Sequence, residues 1–432
     1  MAKESALELR KLVIYSIFTR NFSKEGSFKE VEAEIPRLKK LGVDMVWFLP
    51  HYPIGKIKRK GTKGSPYAIK DYRGIHSELG SREDFIHLVD QIHQAGMKVM
   101  IDIVYNHTSP DSLLSNQKSQ WFYQKPDGSF SNQIGDWTDI IDLDYNDNFD
   151  LWDYQIETLM DYAKIVDGFR CDVASLIPLD FWLAAREAVK EVNPDLVWLA
   201  ESVEPSFILE TRKQAMTGLS DSEVYQAFDL TYDYDIFNDW VAYLEGNQPL
   251  SAYLTSLNRQ NWIYPANFTK LRFLENHDQK RIAARIKDKH SLEQITAFNL
   301  FLRGAHLIYN GQEIQANHLP NLFEKDPIDW SNESTFSEYL ADLIQIKKEY
   351  IPCEGSFEVG GDDDLEAVWV KYQNHEECLM GIFALNKEKH GSIKIPLADG
   401  AYRHLLEDRW IKVNDGEIAL SDRPQYLTYK ED

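Results

Sequence analysis

The sequence predicts a (β/α)8 barrel followed by a smaller antiparallel β domain. Over about the first 350 of 432 residues, eight short apolar runs alternate with longer amphipathic segments, a pattern typical of repeated βα units around a parallel sheet. Four of these runs end in polar clusters that contain carboxylates. After about residue 350 the pattern changes to short alternating segments separated by turn residues, which indicates antiparallel strands.

The eight predicted strands are apolar runs that follow one another along the barrel part of the chain. They are LVIYSIF (12–18), VDMVWFLP (43–50), MKVMIDIVY (97–105), IVDGFRCD (165–172), LVWLAE (196–201), VYQAFDL (224–230), KLRFLE (270–275) and AHLIYN (305–310), of which the sixth is the least clear. A helix near 27–41 is expected to end at Gly42. Another begins after Ser81, which has Asp84 at the spacing of a capping box.

The barrel pattern is interrupted once, between His107 and Asp150, by a stretch rich in Pro, Gly, Ser, Asn and aromatic residues. A long irregular insertion at the end of a strand is more often functional than accidental. A further helix is predicted at 334–350, before the β segments. The predicted division is barrel at 1–106, insertion at 107–149, barrel at 150–351 and β domain at 352–432.

Composition excludes several classes of partner. The formal net charge of −22 makes nucleic acid and anionic membrane surfaces poor partners, whereas a neutral sugar polymer is compatible with it. The start MAKESALELRK lacks the apolar segment of a signal peptide, and no later run approaches the roughly 20 apolar residues of a membrane span. We therefore predict a cytoplasmic protein. Its three cysteines form neither a disulfide framework nor a metal motif, and nothing indicates an oligomeric state.

The polar clusters at the strand ends predict one shared pocket. The third predicted strand has Asp102 near its end, with Asn106 and His107 just after it, and the fourth ends with Arg170 and Asp172. The fifth ends in Glu201, and His277 and Asp278 come just after the seventh. The carboxyl ends of the strands of a parallel barrel converge on one face, so these side chains are expected to meet. Retaining cleavage of a glycosidic bond needs one carboxylate as nucleophile and one carboxylic acid as proton donor.

Local spacing suggests how two of these carboxylates differ. Alternation along a strand puts Arg170 and Asp172 on the same side, where the guanidinium favours the ionised carboxylate. Glu201 closes an apolar strand, so burial is expected to raise its pKa and keep it protonated. The alternatives are an ordinary surface ion pair and a glutamate that faces solvent.

Six motifs in order resemble the signature regions of the α-amylase family of glycoside hydrolases over about residues 12–350. They are SPYAIKDY (65–72), MIDIVYNHTS (100–109), GFRCDVA (168–174), LAES (199–202), ENHDQ (275–279) and IYNGQEI (308–314). The resemblance implies that the insertion is the family's B domain, in a short form, and that the β domain is the family's C-terminal sandwich.

The same resemblance implies roles for individual residues. Asp172 would be the nucleophile with Arg170 as its partner, and Glu201 the acid and base. Asp278 would bind sugar hydroxyls and stabilise the transition state. The remaining implied site residues are Tyr67 as a stacking platform, His107 and His277 as hydrogen-bond donors to the sugar, and Asp102 and Asn106 as supports.

Departures from the family pattern bear on metal binding and specificity. Asn106 stands where many members bind calcium, but Ser175 and Leu176 replace the usual Lys-His and no Asp-rich calcium loop is present. We therefore predict no metal and no other cofactor, with calcium as the minority alternative. Ala68 replaces the Asp that closes the pocket of exo-acting glucosidases, so an open end is expected. Val173 accompanies activity on α-1,6 bonds in some relatives.

The sequence therefore predicts a retaining hydrolase that cleaves α-1,4 bonds of maltooligosaccharides, with an α-glucan oligosaccharide as its partner. A 4-α-glucanotransferase or an α-glucosidase, including one tolerant of α-1,6 bonds, would use the same residues and stays open. An alternative of another class is a non-catalytic carbohydrate-binding protein. The basic run GKIKRKGTKG (55–64) lacks the glycine spacing of a phosphate-binding loop and is predicted to be a solvated loop near the site entrance.

Overall fold

Eight parallel strands close into a barrel in the computed structural model, which describes residues 5–332, 335–374 and 377–430. Up to residue 310 the strands are β1 (Val13–Ile17), β2 (Met45–Phe48), β3 (Lys98–Ile103), β4 (His107–Thr108), β5 (Ile141–Asp142), β6 (Gly168–Cys171), β7 (Val197–Ala200), β8 (Leu230–Tyr232), β9 (Lys270–Arg272) and β10 (Ala305–Tyr309). The barrel order is β1, β2, β3, β6, β7, β8, β9, β10, and β10 pairs with β1. The predicted (β/α)8 barrel is confirmed.

The helices that surround and follow these strands complete the repeated units. They are α1 (Thr19–Phe22), α2 (Phe28–Ala33), α3 (Ile35–Leu41), α4 (Arg82–Gln94), α5 (Leu113–Gln117), α6 (Phe149–Ala163), α7 (Leu179–Lys190), α8 (Pro205–Lys213), α9 (Asp221–Val224), α10 (Tyr234–Leu244), α11 (Leu250–Ile263), α12 (Ile282–Arg285), α13 (Lys289–Phe301) and α14 (Phe336–Tyr350). Short 3-10 helices occupy Leu7–Lys11, Ser119–Trp121, Ala174–Leu176 and Gln312–Ile314. Among the helices within the described ranges, none combines the length and the apolar composition needed to span a lipid bilayer.

Two predicted elements differ from the structure in their limits. The sixth barrel strand is at Leu230–Tyr232 rather than at 224–230, because a capping box of Ser220 and Glu223 starts a helical turn ahead of it. The predicted helix at 27–41 is two helices, α2 and α3, with Pro36 in the first turn of α3. A proline begins a helix well but cannot continue one.

Other local predictions agree with the structure. α3 ends at Gly42, which adopts a φ of 96°, and the Ser81 hydroxyl accepts the Asp84 N–H at 3.1 Å to cap α4. The start of the predicted helix at residue 334 lies outside the described residues, as do residues 1–4 and 431–432 at the limits of the predicted domains.

The insertion after β3 is a small, irregular structure with one two-stranded ribbon. β4 and β5 pair antiparallel, and the chain between them contains α5 and several turns before α6 begins at Phe149. The ribbon starts at His107, only four residues after the end of β3. The insertion therefore lies at the carboxyl end of the barrel, where the predicted site residues converge.

The C-terminal part is an antiparallel β domain of two layers. Its strands are β11 (Ser356–Asp362), β12 (Ala367–Asn374), β13 (Glu377–Ala384), β14 (Ser392–Lys394), β15 (Gly400–His404), β16 (Trp410–Val413), β17 (Glu417–Ala419) and β18 (Gln425–Lys430). A six-stranded sheet has the order β11, β12, β13, β18, β15, β16, and β14 pairs with β17. Ile393 and Ile418 of the smaller sheet share a core with Met380 and Leu427 of the larger one.

Aromatic packing fixes the β domain to the barrel. Phe301 at the end of α13 contacts Tyr372, Phe383 and Tyr426, with ring centroids 5.4–5.7 Å apart. The Arg10 guanidinium, before β1, donates to the Cys353 carbonyl oxygen at 2.6 Å. The apolar core thus continues from the barrel into the second domain.

A buried ion pair between Asp233 and Arg272 supports the barrel wall that carries His277 and Asp278. The Arg272 Nη1 lies 2.7 Å from each carboxylate oxygen of Asp233, and both side chains are buried. We expect Asp233→Asn to lower the free energy of unfolding by about 3 kcal/mol, because it leaves a buried guanidinium without its counter-charge. Urea denaturation followed by tryptophan fluorescence would measure this. Asp161→Asn, which breaks an exposed pair with Lys164, should cost at most about 0.5 kcal/mol; an equal loss in both variants would contradict the prediction.

Candidate active site

The guanidinium of Arg170 stands at the centre of the candidate site and links carboxylates from three strands. Its Nη1 lies 2.7 Å from Asp102 Oδ1 and 2.8 Å from Asp172 Oδ1, and its Nη2 lies 2.7 Å from Glu201 Oε1. Asp102 of β3 is aligned with Arg170 of β6 in the barrel register. The barrel hydrogen bonding therefore fixes which carboxylates can reach the guanidinium.

Three aromatic rings enclose Arg170 on its other sides. The guanidinium carbon lies 5.2 Å from the ring centre of Trp47, 5.8 Å from that of Tyr67 and 5.7 Å from that of Tyr232. Rings at this distance attract a cation and exclude water from it. Sequence reasoning did not identify Trp47 and Tyr232, because each looks like an ordinary core residue of a barrel strand.

Glu201 is held by a backbone amide as well as by Arg170. Its Oε2 accepts the N–H of Val173 at 2.8 Å. Val173 has φ 37° and ψ 44°, a left-handed conformation that is unfavourable for a β-branched residue. The chain therefore bends sharply after Asp172 and directs an N–H at the neighbouring carboxyl group. The sequence carries no signal for this bend.

A second group joins Tyr67, His277 and Asp278. The Tyr67 hydroxyl lies 3.1 Å from Asp102 Oδ2 and 2.6 Å from His277 Nε2, which is itself 3.0 Å from Asp278 Oδ2. The rings of Tyr67 and His277 are nearly parallel, at 13°. The Asp278 side chain is 43% exposed, whereas those of Asp172 and Glu201 are about 10% exposed. Asp278 is thus the carboxylate most open to a ligand.

His107 approaches Asp172 from the insertion side. Its Nε2 lies 3.9 Å from Asp172 Oδ2, and its Nδ1 lies 3.2 Å from the Asn106 amide nitrogen. Burial lowers the pKa of His107, so its imidazole is neutral at pH 7. Contacts therefore connect all nine predicted site residues: Tyr67, Asp102, Asn106, His107, Arg170, Asp172, Glu201, His277 and Asp278.

Two protein families match this chain. The family described as "Alpha amylase, catalytic domain" matches residues 16–140 and 142–349, and "Bacterial Alpha amylase C-terminal domain" matches residues 358–427. The chain belongs to the α-amylase family of glycoside hydrolases. The catalytic match covers the barrel with its insertion, and the second match covers most of the β domain.

Individual members of the α-amylase family extend the likeness to the whole fold. The crystal structure of an α-amylase from Lactobacillus plantarum is 44% identical, with a TM-score of 0.92, and the match covers 98% of this chain and 100% of that one. A maltogenic α-amylase, AmyB from Thermotoga neapolitana, is 28% identical with a TM-score of 0.86, over 98% and 100% of the two chains. The α-amylase MalA of Haloarcula japonica is 25% identical over 355 residues, 78% of this chain and 48% of MalA. The chain spans about half the length of that curated relative.

The carboxyl groups of this family member differ in acidity. Burial raises the pKa of Asp172 to about 6 although Arg170 opposes the shift, and burial likewise raises the pKa of Glu201 to about 7. For Asp278, burial is outweighed by the charge and hydrogen bond of His277, so its pKa is lowered. Near pH 6.5 the favoured state has Asp172 and Asp278 ionised and Glu201 protonated.

The position at which many α-amylases hold calcium is a small polar cavity. A cavity of about 130 Å³ is lined by Asn106, Asp142, Asp144 and Leu176, among others. The Asn106 amide is engaged by His107, while Asp142 accepts the Gln133 N–H. Calcium prefers six to eight oxygen ligands, and within the described residues no three His, Cys, Asp or Glu side chains are grouped to hold a metal ion. Asp142 Oδ1 is buried without a hydrogen-bond partner in the described part of the chain, and the chemistry below uses protein groups alone.

The raised pKa of Glu201 predicts that removing its charge stabilises the fold at alkaline pH. A carboxyl group whose pKa rises from 4.5 unfolded to about 7 folded binds its proton more tightly in the folded protein, so stability falls as pH rises between these values. Glu201→Gln has no carboxyl group to ionise, so its stability does not fall in this way. Its free energy of unfolding, relative to the unmodified protein, should rise by about 2 kcal/mol from pH 5 to pH 8. Urea denaturation at both pH values would measure it, with Glu187→Gln on the exposed face of α7 as control; a constant difference would contradict the assigned shift.

Proposed function

We propose that the protein hydrolyses α-1,4-glucosidic bonds of maltooligosaccharides with retention of configuration, through a covalent glycosyl-enzyme. The observation that carries the proposal is the placement of Asp172 and Glu201 on one guanidinium with pKa values near 6 and 7. A retaining mechanism needs an ionised nucleophile beside a protonated acid, and this pair has both states at neutral pH.

In the first step, a carboxylate oxygen of Asp172 attacks the anomeric carbon while Glu201 gives its proton to the leaving oxygen. The glycosidic bond breaks, and a β-linked ester to Asp172 forms. Asp172 Oδ1 accepts from Arg170, which leaves Oδ2 as the attacking oxygen. In the second step the Glu201 carboxylate takes a proton from water. The water oxygen bonds to the anomeric carbon and Asp172 leaves, so two inversions restore the original configuration.

The other site residues would bind the sugar ring. Asp278 is ionised and partly exposed, so it can accept hydrogen bonds from sugar hydroxyls and stabilise positive charge at the anomeric centre. His277 lies beside it, and the face of Tyr67 offers an apolar platform to the C–H face of the ring. Asp102 and Asn106 would act through Arg170 and His107 rather than on the sugar.

The choice of α-glucan rests on relatives and charge. Two structures that match 98% of this chain are described as an α-amylase and a maltogenic α-amylase. A neutral polysaccharide is also compatible with the net charge of −22, which would repel an anionic one.

A time course of products from maltoheptaose tests the function directly. The unmodified protein should release a mixture of shorter sugars whose first-formed anomer is α. Asp172→Asn should lower kcat at least about a thousandfold because it removes the nucleophile, whereas Asp161→Asn on the exposed face of α6 should leave kcat unchanged. Products longer than seven units would favour a glucanotransferase, and glucose alone an exo-glucosidase. No turnover by the unmodified protein would contradict the proposal.

The two pKa values also predict a narrow pH optimum. Below about pH 6 Asp172 is protonated and cannot attack, and above about pH 7 Glu201 has lost the proton that it must donate. The profile of kcat/KM should therefore be a bell with its maximum between about pH 6 and pH 7. With α-maltosyl fluoride, whose leaving group needs no proton, the unmodified protein should lose the alkaline limb of the kcat/KM profile. A profile on maltooligosaccharides that is flat to pH 9 would contradict the role given to Glu201.

A further inference from the structure

Trp137, in the insertion between β4 and β5, packs directly against the candidate site. Its ring lies 5.7 Å from the ring of His107, at an interplanar angle of 53°. It also packs against a small apolar cluster of Ile54, Ala68 and Ile140. Trp137 is therefore one side chain away from Asp172, through His107, and adjacent in space to the residue that follows Tyr67.

The indole is partly exposed and keeps an unused hydrogen-bond donor. Its N–H donates to no acceptor among the residues that the structure describes. A ring with one apolar face and one free donor at its edge suits a sugar, which has a C–H face and a rim of hydroxyls. Ala68, where the sequence predicted an open end, is 4% exposed and belongs to the apolar cluster against which Trp137 packs.

A single lysine ties the Trp137 segment to the rim of the barrel. Lys60 Nζ lies 3.0 Å from Asp139 Oδ1 and 3.3 Å from the Asp136 carbonyl oxygen, so it bonds on both sides of Trp137. Asp139 is 5% exposed, so the carboxylate end of this ion pair is shielded from solvent although the Lys60 side chain is partly exposed. We call Lys60 with Asp136 and Asp139 the clasp. The predicted solvated loop at 55–64 is thus in part a structural tie.

The loop that carries Lys60 is itself anchored at two further points. The N–H groups of Lys56 and Ile57 donate to Asp111, and the Thr62 N–H donates to Glu324 at 2.9 Å. The clasp consequently connects segments that follow β2, β3 and β10. A platform supported by three rim segments is held in place before a ligand arrives, which reduces the ordering cost of binding.

The contacts also indicate on which side of the cleavage point Trp137 lies. In the proposed function Glu201 must face the leaving group. Glu201 is held by Arg170 and Val173 and shares no contact with the Trp137 group, which reaches the site through His107 and Ala68. This separation favours a place for Trp137 on the opposite side, towards the non-reducing end of a bound chain.

We propose that Trp137, held by the clasp, binds the glucose unit next to the one being cleaved, on its non-reducing side, and so sets the preference for chains over single glucosyl units. The inference rests on the proposed function and deepens it. Trp137 would stack on that second unit and donate its indole N–H to a hydroxyl. Binding energy from this unit would then stabilise the transition state one unit away.

A pair of glycosyl fluorides tests the proposal, because the two substrates share a leaving group and differ only by the second glucose unit. Trp137→Ala should lower kcat/KM for α-maltosyl fluoride about tenfold, from lost stacking and lost apolar contact, and change α-glucosyl fluoride less than about twofold. Trp137→Phe, which keeps an aromatic face, should retain most of the preference. If turnover of glucosyl fluoride is too slow to measure, the binding of maltotriose can instead be compared by calorimetry between Asp172→Asn and the double variant that also carries Trp137→Ala. The double variant should bind maltotriose about tenfold more weakly.

The clasp has a matched control within the same loop. Lys60→Met should lower kcat/KM for maltosyl fluoride about threefold to fivefold. Lys63→Met should have no effect, because Lys63 pairs with Glu78 and its side chain is 35% exposed, close to the 36% of Lys60. An equal fall for both fluorides in Trp137→Ala, or no fall for either, would overturn the role of Trp137, and an unchanged Lys60→Met would overturn the clasp. Absent turnover of maltosyl fluoride by the unmodified protein would instead fail the proposed function itself.

Discussion

Every part of the candidate site depends on one buried guanidinium that is shared among three carboxyl groups. Arg170 projects from β6 into the barrel mouth, and β3 and β7 on either side of β6 bring Asp102 and Glu201 to it. A single positive charge cannot neutralise three buried carboxylates, so at least one of them is pushed towards its protonated form. Burial is the largest cause of the raised pKa of Glu201, and the neighbouring carboxylates Asp172 and Asp278 raise it further against the effect of Arg170.

The same excess of buried acids carries a cost in stability. Burial of Asp102, Asp172 and Glu201 raises the pKa of each, so ionising them at neutral pH works against folding. Packing and ion pairing in the barrel wall offset part of this cost in stability. Trp47 of β2 and Tyr232 of β8 pack on Arg170, and further along the wall Asp233 and Arg272 form a pair with balanced charge. The strained backbone of Val173 also bears on Glu201, because its N–H gives this carboxyl group a fixed, uncharged hydrogen-bond partner.

Features that depend on local sequence patterns could be predicted, whereas features that depend on tertiary packing could not. Eight of the nine predicted site residues could be placed together because they lie at the ends of recognisable strands, and strand ends in a parallel barrel meet on one face. The ninth, Tyr67, was assigned from the resemblance to the family alone. The sixth strand was misplaced by several residues because a capping box outweighed an apolar run, but no predicted site residue follows that strand. The turn at Val173 and the aromatic enclosure of Arg170 depend on three-dimensional packing that no spacing in the sequence reveals.

Trp137 shows why specificity is harder to predict than the reaction centre. The insertion has no periodic pattern, so the position of its side chains is set by a few long-range contacts such as Lys60 with Asp139. Residues on barrel strands are fixed by a continuous hydrogen-bonded register, whereas Trp137 is fixed by a side-chain clasp that one substitution can remove. Loops on a rigid barrel can therefore change while Arg170 and its carboxyl groups keep their geometry. If Trp137 binds the second glucose unit, substrate preference and bond cleavage are controlled by separable parts of one pocket, joined only where Trp137 touches His107 and Ala68.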